Sequence, residues 1–183
     1  MERKNRLSPI TIVLHWLIGL TIIALWGIGF TMKHWHIREL YAYHKSIGVI
    51  VLIAIIIRVL WRFKKGWPVP VSNYKKWEHR ISKLVHWVLL ITSLTLPLFG
   101  MMLSIESGHG INVFGLIIIE PHFMAGKIVH YSTFWSGIAR EGHNLSAYIL
   151  LGALVLHVVG AFKHHLIDQD GTLKRMLGHS INT

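Results

Sequence analysis

The sequence contains no cysteine among its 183 residues. This absence excludes disulfide bonds, iron–sulfur clusters held by thiolates and a haem attached covalently through a Cys-x-x-Cys-His motif. Acidic residues are also scarce, with 8 Asp and Glu against 14 His, so a metal site built from carboxylates is not expected. Any cofactor must therefore be held without a covalent bond, and histidine is the side chain available to ligate a metal.

Charged residues of both signs make up only 15% of the chain, whereas 52% of it is hydrophobic and the mean hydropathy is +0.48. A soluble domain carries about 25% charged residues. The formal net charge of +11 could indicate a nucleic-acid-binding protein, but these charges lie between long apolar runs and not over one surface. We therefore expect a lipid bilayer as the partner and no nucleic acid.

Apolar stretches predict an all-α integral membrane four-helix bundle, with residues 1–183 forming one domain. Crossing the hydrocarbon takes about 20 residues of helix, and the third stretch tolerates Pro97 as a kink. The apolar piece at 111–119, within the loop 106–140, is too short to span; it is expected to lie at the interface, dip inward or cap the bundle. The predicted helices cover residues 10–32, 43–61, 84–105 and 142–162.

Basic residues in the connections predict that both termini face the cytoplasm, because cytoplasmic loops are enriched in Lys and Arg. The basic residues expected on the inner side are Arg3, Lys4, Arg6, Arg62, Lys64, Lys65, Lys75, Lys76, Arg80, Lys83, Lys163, Lys174 and Arg175. Those expected on the outer side are fewer: Lys33, Arg38, Lys45, Lys127 and Arg140.

Histidines fall at two matched depths within these helices. His143 and His157 are 14 residues apart, which brings them to within about 40° of one helix face and separates them by roughly 21 Å along the axis. His44 begins the second helix, at the outer level with His143. His15 lies about one turn inside the first helix, at the inner level with His157. The predicted pairs are His44 with His143 and His15 with His157.

A pair of neutral imidazoles from two helices can fill both axial positions of a haem iron, which leaves no open coordination site and suits electron transfer. Two non-covalent b-type haems are therefore predicted. Gly19 follows His15 by four residues and Gly48 follows His44 by four, which gives room for a porphyrin, although such glycines also allow close helix packing. His86 lies at the same inner level as His15, and spacing alone does not exclude it as a ligand.

Leucines follow His86 one turn on, at positions 89 and 90, so we prefer His15 as the inner ligand and expect an interhelical hydrogen bond for His86. Haem propionates are anionic and lie near the membrane boundary. Arg58, close to the inner end of the second helix, and Lys45, next to His44, could contact them. Either side chain could instead anchor its helix at the membrane interface.

The order and spacing of several motifs resemble the bacterial cytochrome b561 family, which is also similar to the cytochrome b subunits of membrane hydrogenases and formate dehydrogenases. The resemblance covers nearly the whole chain. It rests on Leu14-His15-Trp16, Tyr43-His44-Lys45-Ser46-Ile47-Gly48, Arg58-Val59-Leu60-Trp61-Arg62, His143, His157, Lys163-His164-His165-Leu166-Ile167-Asp168 and Thr172-Leu173-Lys174-Arg175-Met176.

The resemblance implies a four-helix dihaem protein of the bacterial inner membrane whose axial ligands are His15, His44, His143 and His157. It also implies electron exchange with the quinone pool. Some members of the family are superoxide oxidases, which take electrons from superoxide on the periplasmic side and reduce ubiquinone. An oxidoreductase of this superoxide:ubiquinone type is therefore the expected activity.

More detailed expectations concern the electron donor at the outer side and the residues that contact the quinone. A basic outer rim of Lys33, Arg38, Lys45, Lys127 and Arg140 would attract superoxide, but it could also bind lipid phosphates or a periplasmic redox protein. Lys163, His164 and His165 could hydrogen-bond and protonate a quinone headgroup or serve as an interfacial anchor. Two alternative functions stay open: a haem-containing anchor subunit that relays electrons for a separate redox protein, and a metal-ion transporter.

Overall fold

The computed structural model describes residues 6–72 and 74–181, so Arg3 and Lys4 of the basic N-terminus lie outside the described residues. Four long helices, one short helix and four short strands make up the described chain. In chain order these are α1 (Pro9–Trp35), α2 (Leu40–Lys65), α3 (Lys76–Glu106), β1 (Ile111–Val113), β2 (Leu116–Ile119), β3 (Phe123–Met124), β4 (Lys127–Ile128), α4 (Thr133–Leu166) and α5 (Thr172–Met176).

Local sequence signals account for the ends of α1. The Ser8 hydroxyl accepts a hydrogen bond from the backbone N–H of Thr11 at 3.3 Å, and Pro9 occupies the first turn, where a missing N–H costs nothing. The helix ends at His36, which adopts the left-handed conformation with φ 55°. That conformation turns the chain after three residues into α2, so α1 and α2 are neighbouring antiparallel helices.

The helices are long and apolar enough to cross a membrane, with mean hydropathies of 2.0, 2.3, 2.1 and 2.1 in their most apolar windows. Each predicted span lies within one of them. The helices extend further than predicted because polar residues at their ends continue the helical backbone into the interface. The largest difference is at α4, which begins at Thr133, so part of the predicted loop 106–140 is helical.

The remainder of that loop contains two small β-hairpins that the sequence did not predict. β1 pairs antiparallel with β2, and β3 pairs antiparallel with β4. The apolar piece at 111–119 is the first hairpin. The Ser46 hydroxyl of α2 donates to the Asn112 carbonyl at 3.3 Å and accepts from the Phe114 N–H at 3.0 Å. The hairpin therefore caps the outer end of the bundle beside the start of α2.

Helix packing follows the chain order: α1 packs on α2, α2 on α3, and α3 on α4. Within the described residues α4 makes at most marginal close backbone contact with α1 or α2.

The chain exposes 12056 Å² of surface, about a third more than the ~9,000 Å² typical of a soluble protein of this mass. Its buried apolar cluster is small and consists of Ile18, Val51 and Ile55. Most apolar side chains therefore face lipid or the spaces beside α4.

Candidate haem-binding site

The outer end of the bundle is defined as the end that carries the start of α2 and the start of α4. There the rings of His44 and His143 face each other with centroids 6.2 Å apart and planes inclined by 76°. Two metal–nitrogen bonds of about 2 Å, plus ~1 Å from each nitrogen to its ring centre, place two axial imidazoles about 6 Å apart. The spacing of this pair therefore fits one iron between the rings.

The hydrogen bonds of the outer pair also suit ligation. His143 Nδ1 donates to the Leu96 carbonyl oxygen at 2.9 Å, which fixes the tautomer and leaves Nε2 with its lone pair available for a metal. His44 Nδ1 is buried and faces the backbone of Leu25, to which it can donate a hydrogen bond. A proton on Nδ1 leaves Nε2 of His44 with its lone pair available for a metal.

Two glycines that the sequence did not single out lie directly behind these rings. A Cβ at Gly29 would lie 3.4 Å from His44 Cε1, and a Cβ at Gly100 would lie 3.0 Å from His143 Cε1. Contact with a paired histidine of the neighbouring helix is what distinguishes these two glycines from the others.

Replacing Gly100 by alanine is expected to displace the His143 ring from the Leu96 carbonyl. Loss of such a hydrogen bond to a metal-ligating histidine weakens metal binding by about 10- to 100-fold. The measurement is haem content and midpoint potential of the purified variant. Gly137→Ala is the matched control, because a Cβ at Gly137 meets no atom within 4 Å of the described structure. Equal haem retention and potential in the two variants would contradict the role assigned to Gly100.

The inner end, which carries the start of α1 and the end of α4, brings together three histidines from three helices. The centroids of His15 and His157 are 6.0 Å apart, which again fits one iron between two rings. His86 of α3 lies closer to His157, at 5.1 Å, which is short for two axial ligands. Ring separation therefore favours His15 as the partner of His157.

Hydrogen bonds at the inner end favour the other histidine. His86 Nδ1 donates to the Ser82 carbonyl oxygen at 2.6 Å, which leaves its Nε2 able to ligate. Arg58 Nη2 donates to His15 Nδ1 at 3.1 Å, so a neutral His15 carries its proton on Nε2. His15 can ligate through Nε2 only if Arg58 releases Nδ1. Ring separation is the stronger constraint, because an arginine side chain reorients more easily than a helix moves.

The small residues predicted to leave porphyrin space do have open space beside them. In the described part of the chain, no heavy atom outside the local backbone lies within 4 Å of a Cβ built at Gly19 or Gly48. These glycines therefore do not serve close helix packing. Together with the separation of α4 from α1 and α2, these glycines leave open space beside the paired histidines.

The residues predicted to contact a quinone lie at the end of α4 and are largely engaged in other contacts. Lys163 donates to Glu78 at 3.0 Å and to Asp168 at 2.8 Å, and this hydrogen bond from Lys163 lowers the pKa of Asp168. His164 contacts Asp168 at 2.7 Å. His165 Nδ1 is buried without a partner in the structure as described, which makes it the most available of the three.

The same region ties the C-terminal segment to the connection between α2 and α3. The Tyr74 hydroxyl donates to the carboxylate of buried Asp170, and burial raises the pKa of Tyr74. Arg175 is 5% exposed and donates to the Val69 carbonyl at 3.0 Å. These contacts fix α5 against the inner end of the bundle.

Basic residues predicted for the outer rim lie at the outer end but do not form a uniformly positive surface. Lys33, Arg38, Lys127 and Arg140 are exposed, whereas Lys45 is half-buried and its Nζ donates to the Ser104 hydroxyl at 3.2 Å. The same end carries four acidic residues, which offset much of the charge: Glu39, Glu106, Glu120 and Glu141.

A multi-pass bundle with paired intramembrane histidines defines the class of membrane b-type cytochromes. The family model described as prokaryotic cytochrome b561 matches residues 6–179 of the chain. The protein belongs to this family of haem-binding membrane cytochromes, as its sequence motifs predicted. It is a multi-pass bacterial membrane protein with a role in electron transport, and a b-type haem is its expected cofactor.

Three curated relatives cover almost the whole chain. Cytochrome b561 homolog 2 of Escherichia coli (strain K12) is 29% identical over 182 residues, which are 96% of this chain and 93% of the relative. Cytochrome b561 homolog 1 of the same strain is 27% identical, covering 94% of this chain and 97% of the relative. The probable superoxide oxidase CybB of Yersinia pestis is 26% identical, covering 94% and 96%.

Proposed function

We propose that this protein transfers electrons across the bacterial inner membrane from a periplasmic donor, with superoxide as the first candidate, to the membrane quinone pool. The inner end of the bundle faces the cytoplasm in this proposal, because the connections at that end are richer in Lys and Arg. The observation that carries the proposal is the pairing of histidines at both ends of α4, with ring centroids 6.0 and 6.2 Å apart.

Two b-type haems, when bound, would supply the one-electron carriers. His44 and His143 would hold the outer one, and His15 and His157 the inner one. Arg58 is about two helical turns from the end of α2 and would neutralise a propionate after it releases His15. Lys45 would do the same at the outer end, while Gly19 and Gly48 would leave the macrocycles room.

Superoxide as the donor is supported by the name of one relative, the probable superoxide oxidase CybB of Yersinia pestis. Electrostatic attraction supports it less, because glutamates offset the basic residues at the outer end. A small neutral or anionic donor would still reach the outer pair more readily than a protein would, since the β1–β2 hairpin covers the bundle beside His44. The residues predicted to contact the quinone remain Lys163, His164 and His165.

The test mixes the detergent-purified protein with a superoxide source and a short-chain ubiquinone. Quinol should form with two superoxide ions consumed for each quinol, and the haem bands should show reduction before quinone is added. The control is the same mixture with detergent but without protein, in which the spontaneous dismutation of superoxide is measured. If dithionite reduces the haems normally but no quinol forms, the result would contradict superoxide:quinone activity and would favour a protein donor.

A further inference from the structure

The β1–β2 hairpin exposes an apolar surface at the outer end of the bundle. Phe114, Leu116, Ile117 and Ile118 are between 50% and 65% exposed, and residues 111–119 include no charged side chain. Successive residues of a strand point to opposite faces, so the consecutive apolar residues of β2 leave both faces of the hairpin apolar. A strand that faces water on one side alternates apolar with polar residues instead. The hairpin is therefore not built to lie in water.

Contacts with α2 fix the level of the hairpin along the bundle. The Ser46 hydroxyl donates to the Asn112 carbonyl and accepts from the Phe114 N–H, and the ring centroids of Tyr43 and Phe114 are 6.3 Å apart. Ile50 is 48% exposed and lies within about 40° of Ser46 on the same side of α2. The apolar surface of the hairpin thus continues the lipid-facing surface of the helix.

The length of α2 relates this level to the membrane. Ser46 precedes Arg62 by 16 residues and Lys65, the last residue of the helix, by 19, which are roughly 24 and 29 Å along the axis. The hydrocarbon core of a bilayer is about 30 Å thick. With these basic residues at the inner boundary, Ser46 lies at the outer boundary of the hydrocarbon and not in the aqueous phase.

Aromatic residues mark the same level independently. Trp and Tyr are enriched where a membrane meets water. Exposed side chains of this kind lie at the outer ends of three helices: Trp35 at the end of α1, Tyr43 in the first turn of α2 and Trp135 in the first turn of α4. Because Tyr43 contacts Phe114, the tip of the hairpin lies at the level of this aromatic belt.

The hydrogen bonds of the hairpin suit that level. Unpaired backbone groups are costly in hydrocarbon, and on the side of α2 the Asn112 carbonyl and the Phe114 N–H are paired with Ser46, which is 2% exposed. The Asn112 side chain accepts from the Gly115 N–H at 2.7 Å, so the one polar side chain of 111–119 is used within the hairpin. A protein partner is usually met by a polar rim around an apolar centre, which this hairpin does not offer.

We propose that the β1–β2 hairpin is inserted into the interfacial layer of the outer leaflet, where phospholipid covers its apolar surface. The exposed side chains of Phe114, Leu116, Ile117 and Ile118 would contact the first segments of the acyl chains, while headgroups and water would complete the backbone hydrogen bonds of β2. Because 111–119 carries no charge, zwitterionic phosphatidylcholine should suffice as the partner. A second copy of this chain and a periplasmic protein are the competing occupants.

The absence of cysteine from the chain allows a fluorophore to be attached at one introduced site. A fluorophore on Ile117→Cys, in the full-length protein reconstituted into phosphatidylcholine vesicles, should be quenched more strongly by lipids brominated near the acyl carbonyl than by aqueous iodide. Lys127→Cys, in the exposed β3–β4 hairpin, is the matched control and should show the reverse order. Stronger quenching of position 117 by iodide than by brominated lipid would overturn the proposal.

The same vesicles distinguish the competing occupants and the depth of insertion. Weak quenching of position 117 by both reagents would indicate a second copy of the chain, because no other protein is present, and quenching by iodide alone would leave the hairpin free for a periplasmic protein. Either result overturns the proposal. Lipids brominated near the ends of the acyl chains should quench position 117 less than those brominated near the carbonyl. The opposite order would place the hairpin in the bilayer centre and would overturn the interfacial position.

Discussion

Replacing His143 by alanine is expected to remove one of the two haems and to leave the other in place. The ring of His143 supplies one side of the outer pair, and its partner His44 lies 6.2 Å away between centroids. A single remaining imidazole holds a haem iron far more weakly than two. Because a ligand that binds only the folded state stabilises it, by about 2.7 kcal/mol at 100 times its Kd, the variant should also unfold at a lower temperature.

The measurement is a visible spectrum with haem quantified per chain. His44→Ala should reproduce the loss, and His157→Ala should remove the other haem, so the two remaining spectra should differ and together resemble the spectrum of the unsubstituted protein. His130→Ala is the control, because His130 is exposed in the outer loop and bonds Ser136. A His143→Ala protein that keeps both haems would refute the outer pair.

Replacing His15 by alanine should remove the inner haem, whereas His86→Ala should keep both haems. The expectation follows from ring separation, since the 6.0 Å between His15 and His157 fits an iron and the 5.1 Å between His86 and His157 does not. His86→Ala should shift the inner midpoint potential, because its ring contacts the assigned ligand. Redox titration followed at the haem bands measures both quantities.

The hydrogen bonds favour the opposite assignment, so this experiment decides between His15 and His86. Arg58 occupies His15 Nδ1, whereas His86 already has the tautomer of a ligand. His79→Ala controls for the loss of an exposed histidine from the same helix as His86. If His15→Ala keeps two haems and His86→Ala keeps one, the inner ligands are His86 and His157, and His15 serves only to hold Arg58.

The two alternative functions make different predictions for the purified protein. An anchor subunit that relays electrons for a separate redox protein should purify in a larger complex after gentle solubilisation. A metal-ion transporter should be colourless, and it would normally place carboxylates inside the helices. None of the 8 acidic residues falls in a predicted span, and membership of a haem-binding family favours a coloured protein.

Much of the fold could be predicted because the bilayer restricts the choice of structure. A spanning segment must satisfy all its backbone hydrogen bonds internally, so apolar runs of sufficient length can be read as helices. The outer loop carries no such restriction, and its hairpins were missed. Pairing of Ile111–Val113 with Leu116–Ile119 depends on turns at left-handed residues such as Phe114, with φ 49°, which sequence patterns indicate only weakly.

The presence of two histidines at two depths of α4 follows from the sequence, because the regular rise and rotation of a helix fix where residues 14 apart must lie. The surroundings of each ring depend instead on how the helices pack. Gly29 and Gly100 lie behind the outer pair, and His86 lies beside His157, because helices from distant parts of the chain pack with particular rotations about their axes. Those rotations depend on the shapes of many side chains in contact, and no local pattern in the sequence specifies them.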